Sequence, residues 1–430
     1  MSATHVLPAS GRIPPRDSEK RSDHRSWLRR VPPVHSPLSF RALRDAVSDV
    51  VHDDARLRLA KELCRMYHAD EALLVDSGTH ALQLAISLAE KITHGPNLVA
   101  LPAYSCFDIA TAAVGAGARI MLYDVDPDTL APDMESFAAT MSSGATVAVV
   151  APLYGVPVDW RAIENCATQF GALVIEDAAQ GFGSSQHGKS LGSHGRLSVL
   201  SFSRGKGWTG GCGGALLVRG GALDMLGHHH HEFVPAASPA LGGLLHAAAQ
   251  WAAGRPSLYA LPAALPWLHL GQTLYHEPAP VRDMPRVAAG LLERSLPLAI
   301  RESGIRRRMA DEYLRDLASV DRMKFTRRVR FVHPAEGSTP GYLRFPLRLS
   351  HRIAGIPDVG RAEWLGMARG YPSTIGDLRA VRRRLHTIRG ADRWPGAETL
   401  VRELVTLPTH SYVEREDRDE LTSLVRAYHR

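Results

Sequence analysis

Three short segments carry residues whose types and spacing could do chemistry together. DSGTHAL (76–82) follows the apolar run ALLV and opens a helical pattern through Leu82, Ile86 and Ala89. Ser77 or Thr79 can cap such a helix, and Gly78 lets a ligand come close to the backbone. Free N–H groups and the helix dipole at that end favour a phosphate. VIEDAAQ (174–180) puts Asp177 at the end of a second apolar run. Open α/β sheets bind ligands at such strand ends, and a carboxylate there needs a cation or a donor. In LSFSRGKGWTGGCGGAL (200–216), Lys206 stands among glycines at 205, 207, 210, 211, 213 and 214. It is one of only six lysines in a chain with 51 basic residues. A lysine that forms an imine must swing between partners and lose its proton easily, and small neighbours leave it room. Taken singly, the three read as a capping turn, a structural ion pair and a surface lysine. Together they offer a phosphate cradle, an acid for a pyridinium nitrogen and an imine-forming lysine, which are the needs of pyridoxal phosphate.

The elements that must hold these segments are legible as a rhythm. Strand-length apolar runs occur at 72–75, 97–101, 119–123, 146–150, 172–177, 197–202 and 214–218, with helical patterns at 79–91, 107–116, 133–142 and 159–170. Apolar strands alternating with helices predict a largely parallel sheet covered on both faces. Helical patterns also begin at 38 and run through 53–67. The Pro-, Ser- and Arg-rich stretch 1–37 reads as a mobile basic arm. Residues 38–285 read as a large cofactor-binding domain with an insertion at about 220–280. Residues 286–430, helical text followed by short strands (GYLRFPLRL, 341–349) and further helices, read as a small C-terminal α+β domain.

Composition narrows the partners. The 430 residues are 45% hydrophobic and 22% charged, which excludes a mostly disordered chain. The net charge of +7 is spread over 51 basic and 44 acidic residues, so no nucleic-acid role is indicated. Cys64, Cys106, Cys166 and Cys212 show no CxxC spacing, and no metal site is expected. No apolar signal-peptide core opens the chain, and Pro235, Pro239, Pro262 and Pro266 interrupt its longest uncharged stretches. Membrane association is therefore not indicated, and a reducing, cytoplasmic setting is the default. GSSQHGKS (183–190) satisfies a P-loop pattern through Lys189. A P-loop runs from a strand directly into a helix, whereas LGSHGR and another strand follow here, so a hairpin is the better reading. The run His228–His231 reads as surface, with adventitious metal binding as the alternative.

The order and spacing of the motifs resemble the DegT/DnrJ/EryC1/StrS sugar aminotransferases, of fold type I. SGTHAL, EDAAQ, GSSQHGKSLGSHG and SFSRGKGWTGGCGG carry the resemblance, supported by 101–130 and by PLYGVPVDWRAI (152–163). Weaker echoes follow at 288–296, 371–372 and 407–421, so it covers roughly 38–425 outside the insertion. It implies a pyridoxal 5′-phosphate transferase fold with a mostly parallel seven-stranded sheet, and a homodimer with the site at its interface. It implies amino transfer from glutamate or glutamine to a keto group, on a nucleotide-linked keto-deoxysugar in polysaccharide or secondary-metabolite synthesis. By position, Lys206 matches the Schiff-base lysine, Asp177 the partner of the pyridine nitrogen and Gln180 the residue beside the ring hydroxyl. Gly78, Thr79 and Ser201 match phosphate contacts.

There are departures from that pattern. The family stacks an aromatic on the ring where this chain has Cys106, which leaves stacking to Phe107 or to a shift of the segment by one residue. The asparagine that reaches the neighbouring subunit's phosphate has no counterpart in PVRDM (280–284), since the chain's two asparagines are Asn97 and Asn165. Arg282 is the candidate replacement, as a cation suited to phosphate. Family dehydratases carry His in place of the lysine, and Lys206 argues against that branch. Two alternatives stand beside this reading: an aminotransferase for a non-sugar carbonyl, and a non-catalytic regulatory member of the same fold. The apolar insertion residues Trp251, Leu258, Trp267, Leu268 and Leu270 could serve an apolar substrate, a membrane surface or the dimer contact.

Overall fold

A computed structural model of the chain describes residues 29–46, 54–221, 240–263, 273–318, 328–350, 353–386 and 393–428. Its centre is a seven-stranded sheet built from β1 (Glu71–Val75), β2 (Leu98–Pro102), β3 (Arg119–Tyr123), β4 (Val147–Val150), β5 (Leu173–Asp177), β8 (Leu197–Ser201) and β9 (Gly214–Val218). The short strands β6 (Ser185–Gln186) and β7 (Lys189–Ser190) form a hairpin outside it. The order is β1-β9-β8-β5-β4-β2-β3, and only β9 runs against the rest. All seven strands coincide with the expected apolar runs.

The strands are apolar on both faces because each face is covered. Successive side chains of a strand point to opposite sides. Val147 and Val149 therefore join one core with Leu82, Ile86 and Ile109, while Ala148 and Val150 join another with Leu59, Leu63, Phe137 and Ile163. Helices α1 (Phe40–Asp45), α2 (Ala55–Tyr67), α3 (Gly78–Thr93), α4 (Asp108–Gly115), α5 (Met134–Ser142) and α6 (Trp160–Gln169) precede or connect the strands. Asp133 and Asp159 start α5 and α6 by accepting from Ser136 N and Ala162 N.

The insertion contains α7 (Ala240–Ala253) and α8 (Pro256–Ala263). Trp251 packs beside Phe40 at 5.7 Å, with the Arg255 guanidinium 3.9 Å above its ring, so this part of the insertion is used within the chain. Leu258 is exposed. The four histidines, Trp267, Leu268 and Leu270 lie outside the described residues, as do residues 1–28.

One expected boundary is corrected. Residues 29–37 are not a free arm, because buried groups of the C-terminal part bind their backbone. His410 Nε2 donates to Pro32 O at 2.7 Å, Arg306 to His35 O at 2.8 Å, and Val31 N donates to Trp364 O at 3.0 Å. The division at 285/286 falls at the start of α9 (Arg286–Ala318), a 33-residue helix shared by both domains. Its first turns bury Ala288, Ala289 and Leu292 against the large domain, and its last bury Ala310, Tyr313 and Leu317 against the small one. The small domain is the antiparallel sheet β10 (Val329–Phe331), β12 (Phe345–Leu349), β14 (Leu404–Leu407) and β13 (Ala368–Arg369), in that order, with its helices. β11 (Ser338–Thr339) reaches back to pair with β6, which ties the domains together. Lys189 stands exposed on β7 of that hairpin, with no helix after it, so the P-loop geometry is absent there.

Candidate active site

Sheet register brings the three motifs into one place. Val75 at the end of β1 and Ser201 at the end of β8 both pair with Gly214, the first residue of β9. The loops that follow, DSGT and SFSRGK, therefore leave the sheet side by side. Asp177 ends β5, the next strand over, opposite Val199. A single cleft results, lined by Gly78, Thr79, Ser105, Cys106, Asp177, Gln180, Ser201 and Lys206 among others.

The phosphate end is a helix N-terminus. Ser77 caps α3 by accepting from His80 N at 3.1 Å, which leaves other first-turn N–H groups without intrahelical partners. Position 78 tolerates only glycine, since a Cβ there would lie 2.5 Å from Ser201 Cβ. His80 Nδ1 is hydrogen-bonded to Asp76 Oδ1 one turn away.

The acid sits at the other end. Asp177 Oδ1 accepts from Ala179 N at 3.1 Å. Burial pushes its carboxyl above the ordinary value, while the charge of Lys206 and that N–H pull it back. The neighbouring Glu176 points to the opposite side of the strand and is fully buried. It accepts from Gly192 N (2.7 Å), His194 N (2.8 Å) and Ser198 Oγ (2.8 Å), so it braces the GSHG loop.

Gln180 is held at both ends of its amide. Oε1 accepts from Tyr154 N at 2.8 Å, and Nε2 donates to the Tyr371 hydroxyl at 2.8 Å. Tyr371 N in turn donates to the buried Tyr104 hydroxyl at 2.8 Å. These tyrosines come from three distant segments that carry the resemblance (101–130, 152–163 and 371–372), yet none was singled out as a site residue. Cys106 lines the cleft, and burial pushes its thiol up to about 12, so it stays neutral at physiological pH. Its neighbour Phe107 is 4% exposed, belongs to the core and is not among the lining residues. Arg282 is exposed and outside the cleft of its own chain, but its carbonyl accepts from Asp76 N at 2.9 Å beside the phosphate turn.

Two further features were not foreseen. Ser105 Oγ is buried in the cleft wall without a hydrogen-bond partner among the described residues. Ser36, from the N-terminal segment, clips the lysine loop: its Oγ accepts from Gly205 N at 2.9 Å and donates to Lys206 O at 3.1 Å. Behind this clip lies a larger cavity of about 870 Å³. It shares Gln180 and Lys206 with the cleft and is walled by residues 30–38, the insertion and the small domain.

Residues 48–228 match the model of the DegT/DnrJ/EryC1/StrS aminotransferase family. That segment is a little over two fifths of the chain, and through it the chain is similar to this family. It is 32% identical over 165 residues to 3-amino-5-hydroxybenzoate synthase of Amycolatopsis mediterranei (strain S699), covering 38% of this chain and 42% of that one. It is 29% identical over 166 residues to L-glutamine:2-deoxy-scyllo-inosose aminotransferase of Streptomyces kanamyceticus, covering 39% and 38%. The alignments thus span about two fifths of the length of these curated relatives. Among solved structures, the sugar aminotransferase CalS13 from Micromonospora echinospora superposes with a TM-score of 0.71 at 20% identity, over 92% of this chain and 99% of that one. That likeness establishes the fold. Pyridoxal 5′-phosphate is the family's cofactor. The cleft of this chain fits it on its own features: the glycine cradle at 78, the orphaned Ser105 hydroxyl, the amine of Lys206 and the carboxylate of Asp177. Among the described residues no group of His, Cys, Asp and Glu is arranged to hold a metal, and no helix is long and apolar enough to cross a membrane.

Proposed function

We propose that this protein is a pyridoxal-phosphate aminotransferase. It takes an amino group from glutamate or glutamine and delivers it to a keto group of a nucleotide-linked keto-deoxysugar. The observation that carries the reading is the convergence of Lys206, Asp177 and the α3 N-terminus in one cleft. The larger cavity beside it is of the size that small-molecule sites occupy.

The cofactor supplies a carbonyl that exchanges amines and a ring that accepts the electron pair left when a donor loses its Cα proton. The chain supplies the rest. Backbone N–H groups at Gly78 and Thr79, with the Ser201 hydroxyl, hold the phosphate. Asp177 keeps a proton on the ring nitrogen, which a carboxylate does best when closed off from water and paired. Lys206 holds the carbonyl carbon between turnovers. With its amine free, it would serve as the base that takes the proton from the donor's Cα. Gln180, with both amide ends occupied, presents a fixed edge to the ring hydroxyl. Cys106, where the family carries an aromatic, would border the ring as a neutral thiol. In this reading the enzyme is a cytoplasmic homodimer, and Arg282 serves the partner's phosphate.

The relatives' names include an inosose aminotransferase, so a cyclic polyol ketone without a nucleotide is the second acceptor class to test. The first experiment is the absorbance spectrum of protein with pyridoxal phosphate, before and after glutamate and glutamine. A visible band that gives way to a near-ultraviolet band with either donor supports the reading. A band indifferent to both points to a different donor or reaction. No band, with Lys206 unmodified after borohydride, overturns it in favour of a non-catalytic role. A Lys206→Ala variant separates these classes, because a purely structural role survives it.

A further inference from the structure

We propose that Arg344 takes the α-carboxylate of the amino-acid donor, which makes it the residue that selects amino acids over simple amines. This rests on the aminotransferase reading and names the donor subsite of that same site.

Arg344 precedes β12 and lines the large cavity with Tyr154, Tyr371, Gln180 and Lys206. Among the described residues its one hydrogen bond is from Nε to Pro33 O at 3.4 Å. No carboxylate lies within 4 Å of it among the described residues, and the ionisable groups near enough to interact with it include the phenols of Tyr154, Tyr371, Tyr259 and Tyr104 and the imidazole of His410. Burial pushes its guanidinium below the ordinary value, a desolvation cost that no carboxylate among the described residues offsets. A cation kept partly dry and unpaired on a cavity wall is complementary to a ligand anion. The planar guanidinium, with its Nε side held by Pro33 O, leaves the terminal N–H fork for a carboxylate.

Place in the cavity decides which anion. Tyr154 and Tyr371 face Arg344, and both hold the amide of Gln180, which borders the lysine cleft. A group bonded directly to the reacting carbon must be bound in the shell next to Lys206. The α-carboxylate is such a group; a nucleotide diphosphate lies at least one sugar ring further out. The cavity's other cations are differently placed. Arg30 stacks over Tyr259 and Trp364 (5.8 and 5.5 Å), Arg369 lies 3.8 Å from Glu363, and Arg204 is exposed.

The test compares wild-type holoenzyme with Arg344→Gln and Arg344→Lys. Glutamine is compared with 4-aminobutanamide, and glutamate with 4-aminobutanoate; each pair differs only in the α-carboxylate. Spectral change of the bound cofactor reads donor binding, and calorimetry with 2-oxoglutarate reads binding without turnover. Wild type should prefer each amino acid, and Arg344→Gln should lose that preference by about 10- to 100-fold, the range for a charged hydrogen bond. It should also weaken 2-oxoglutarate binding, with Arg344→Lys between. The KM for the keto acceptor should change less than about threefold by the same account. Unchanged discrimination in a variant that keeps the wild-type cofactor band overturns the proposal. A rise in acceptor KM with donor KM unmoved overturns it in favour of a diphosphate subsite. Absence of any cofactor band in wild type fells the aminotransferase reading itself and this inference with it.

Discussion

Replacing Gly78 by alanine tests how the phosphate end is built. A Cβ at 78 would stand 2.5 Å from Ser201 Cβ, 2.8 Å from its Oγ and 3.3 Å from its Cα. Ordinary contact for such atoms begins near 3.4 Å, so α3 and the end of β8 must part by about 0.9 Å. Oγ can rotate away, but Cβ and Cα of Ser201 are fixed to the backbone. Overpacking of this kind costs about 1–3 kcal/mol of stability. The same shift carries the first N–H groups of α3 away from the phosphate. Losing one charge-assisted hydrogen bond costs about 1.5–3 kcal/mol, which weakens cofactor binding by about 10- to 150-fold. Absorbance titration with pyridoxal phosphate reads the affinity, and urea unfolding reads the stability. Ser201→Gly removes the obstructing Cβ and Oγ, so the Gly78→Ala penalty should shrink to about threefold or less in that background. Equal penalties in the two backgrounds, or wild-type affinity in the single variant, would refute the cradle argument.

Ser36→Ala removes both bonds between the N-terminal segment and the lysine loop. It should cost about 1–3 kcal/mol by the usual worth of two hydrogen bonds, and raise deuterium exchange at Gly205; unchanged exchange there would show the clip to be idle. His410 Nε2 donates to Pro32 O and its Nδ1 accepts from Tyr412 N, so the ring is neutral in the fold. Burial lowers its pKa to about 4 from an unfolded value near 6.5. The unfolded chain then binds the proton first, so this contribution is present above about pH 6.5 and lost as pH falls toward 4. His410→Gln should flatten that part of the stability profile, and an unaltered slope would contradict the assignment. Tyr371→Phe strands Gln180 Nε2, which should lower donor turnover and cost about 1–3 kcal/mol in a melt; a neutral result would mean that water replaces the hydroxyl.

Local sequence was enough wherever the determinant was local. Seven strands, the connecting helices and the 185–190 hairpin follow from apolar period and turn residues, and each core-facing alternation, such as Val147/Val149 against Ala148/Val150, is written in consecutive residues. The sequence also singled out Gly78, Asp177, Gln180 and Lys206, because each belongs to a short motif at a strand end. It misplaced residues 29–37, whose proline-rich text has no period but whose carbonyls are bound by His410 and Arg306, nearly the length of the chain away. Phe107 was a candidate because it neighbours Cys106, yet the start of α4 turns it into the core and leaves the thiol facing the cleft.

Tertiary structure alone decided three things. The shared register on Gly214 puts the turns after β1 and β8 together, and register is a property of paired strands rather than of either one. The tyrosines at 104, 154 and 371 meet around Gln180 only because the small domain folds back onto the segment after β5. Arg344 is one arginine among 45 in the sequence. What distinguishes it is desolvation without a carboxylate beside it among the described residues, which exists only once the chain has closed around it.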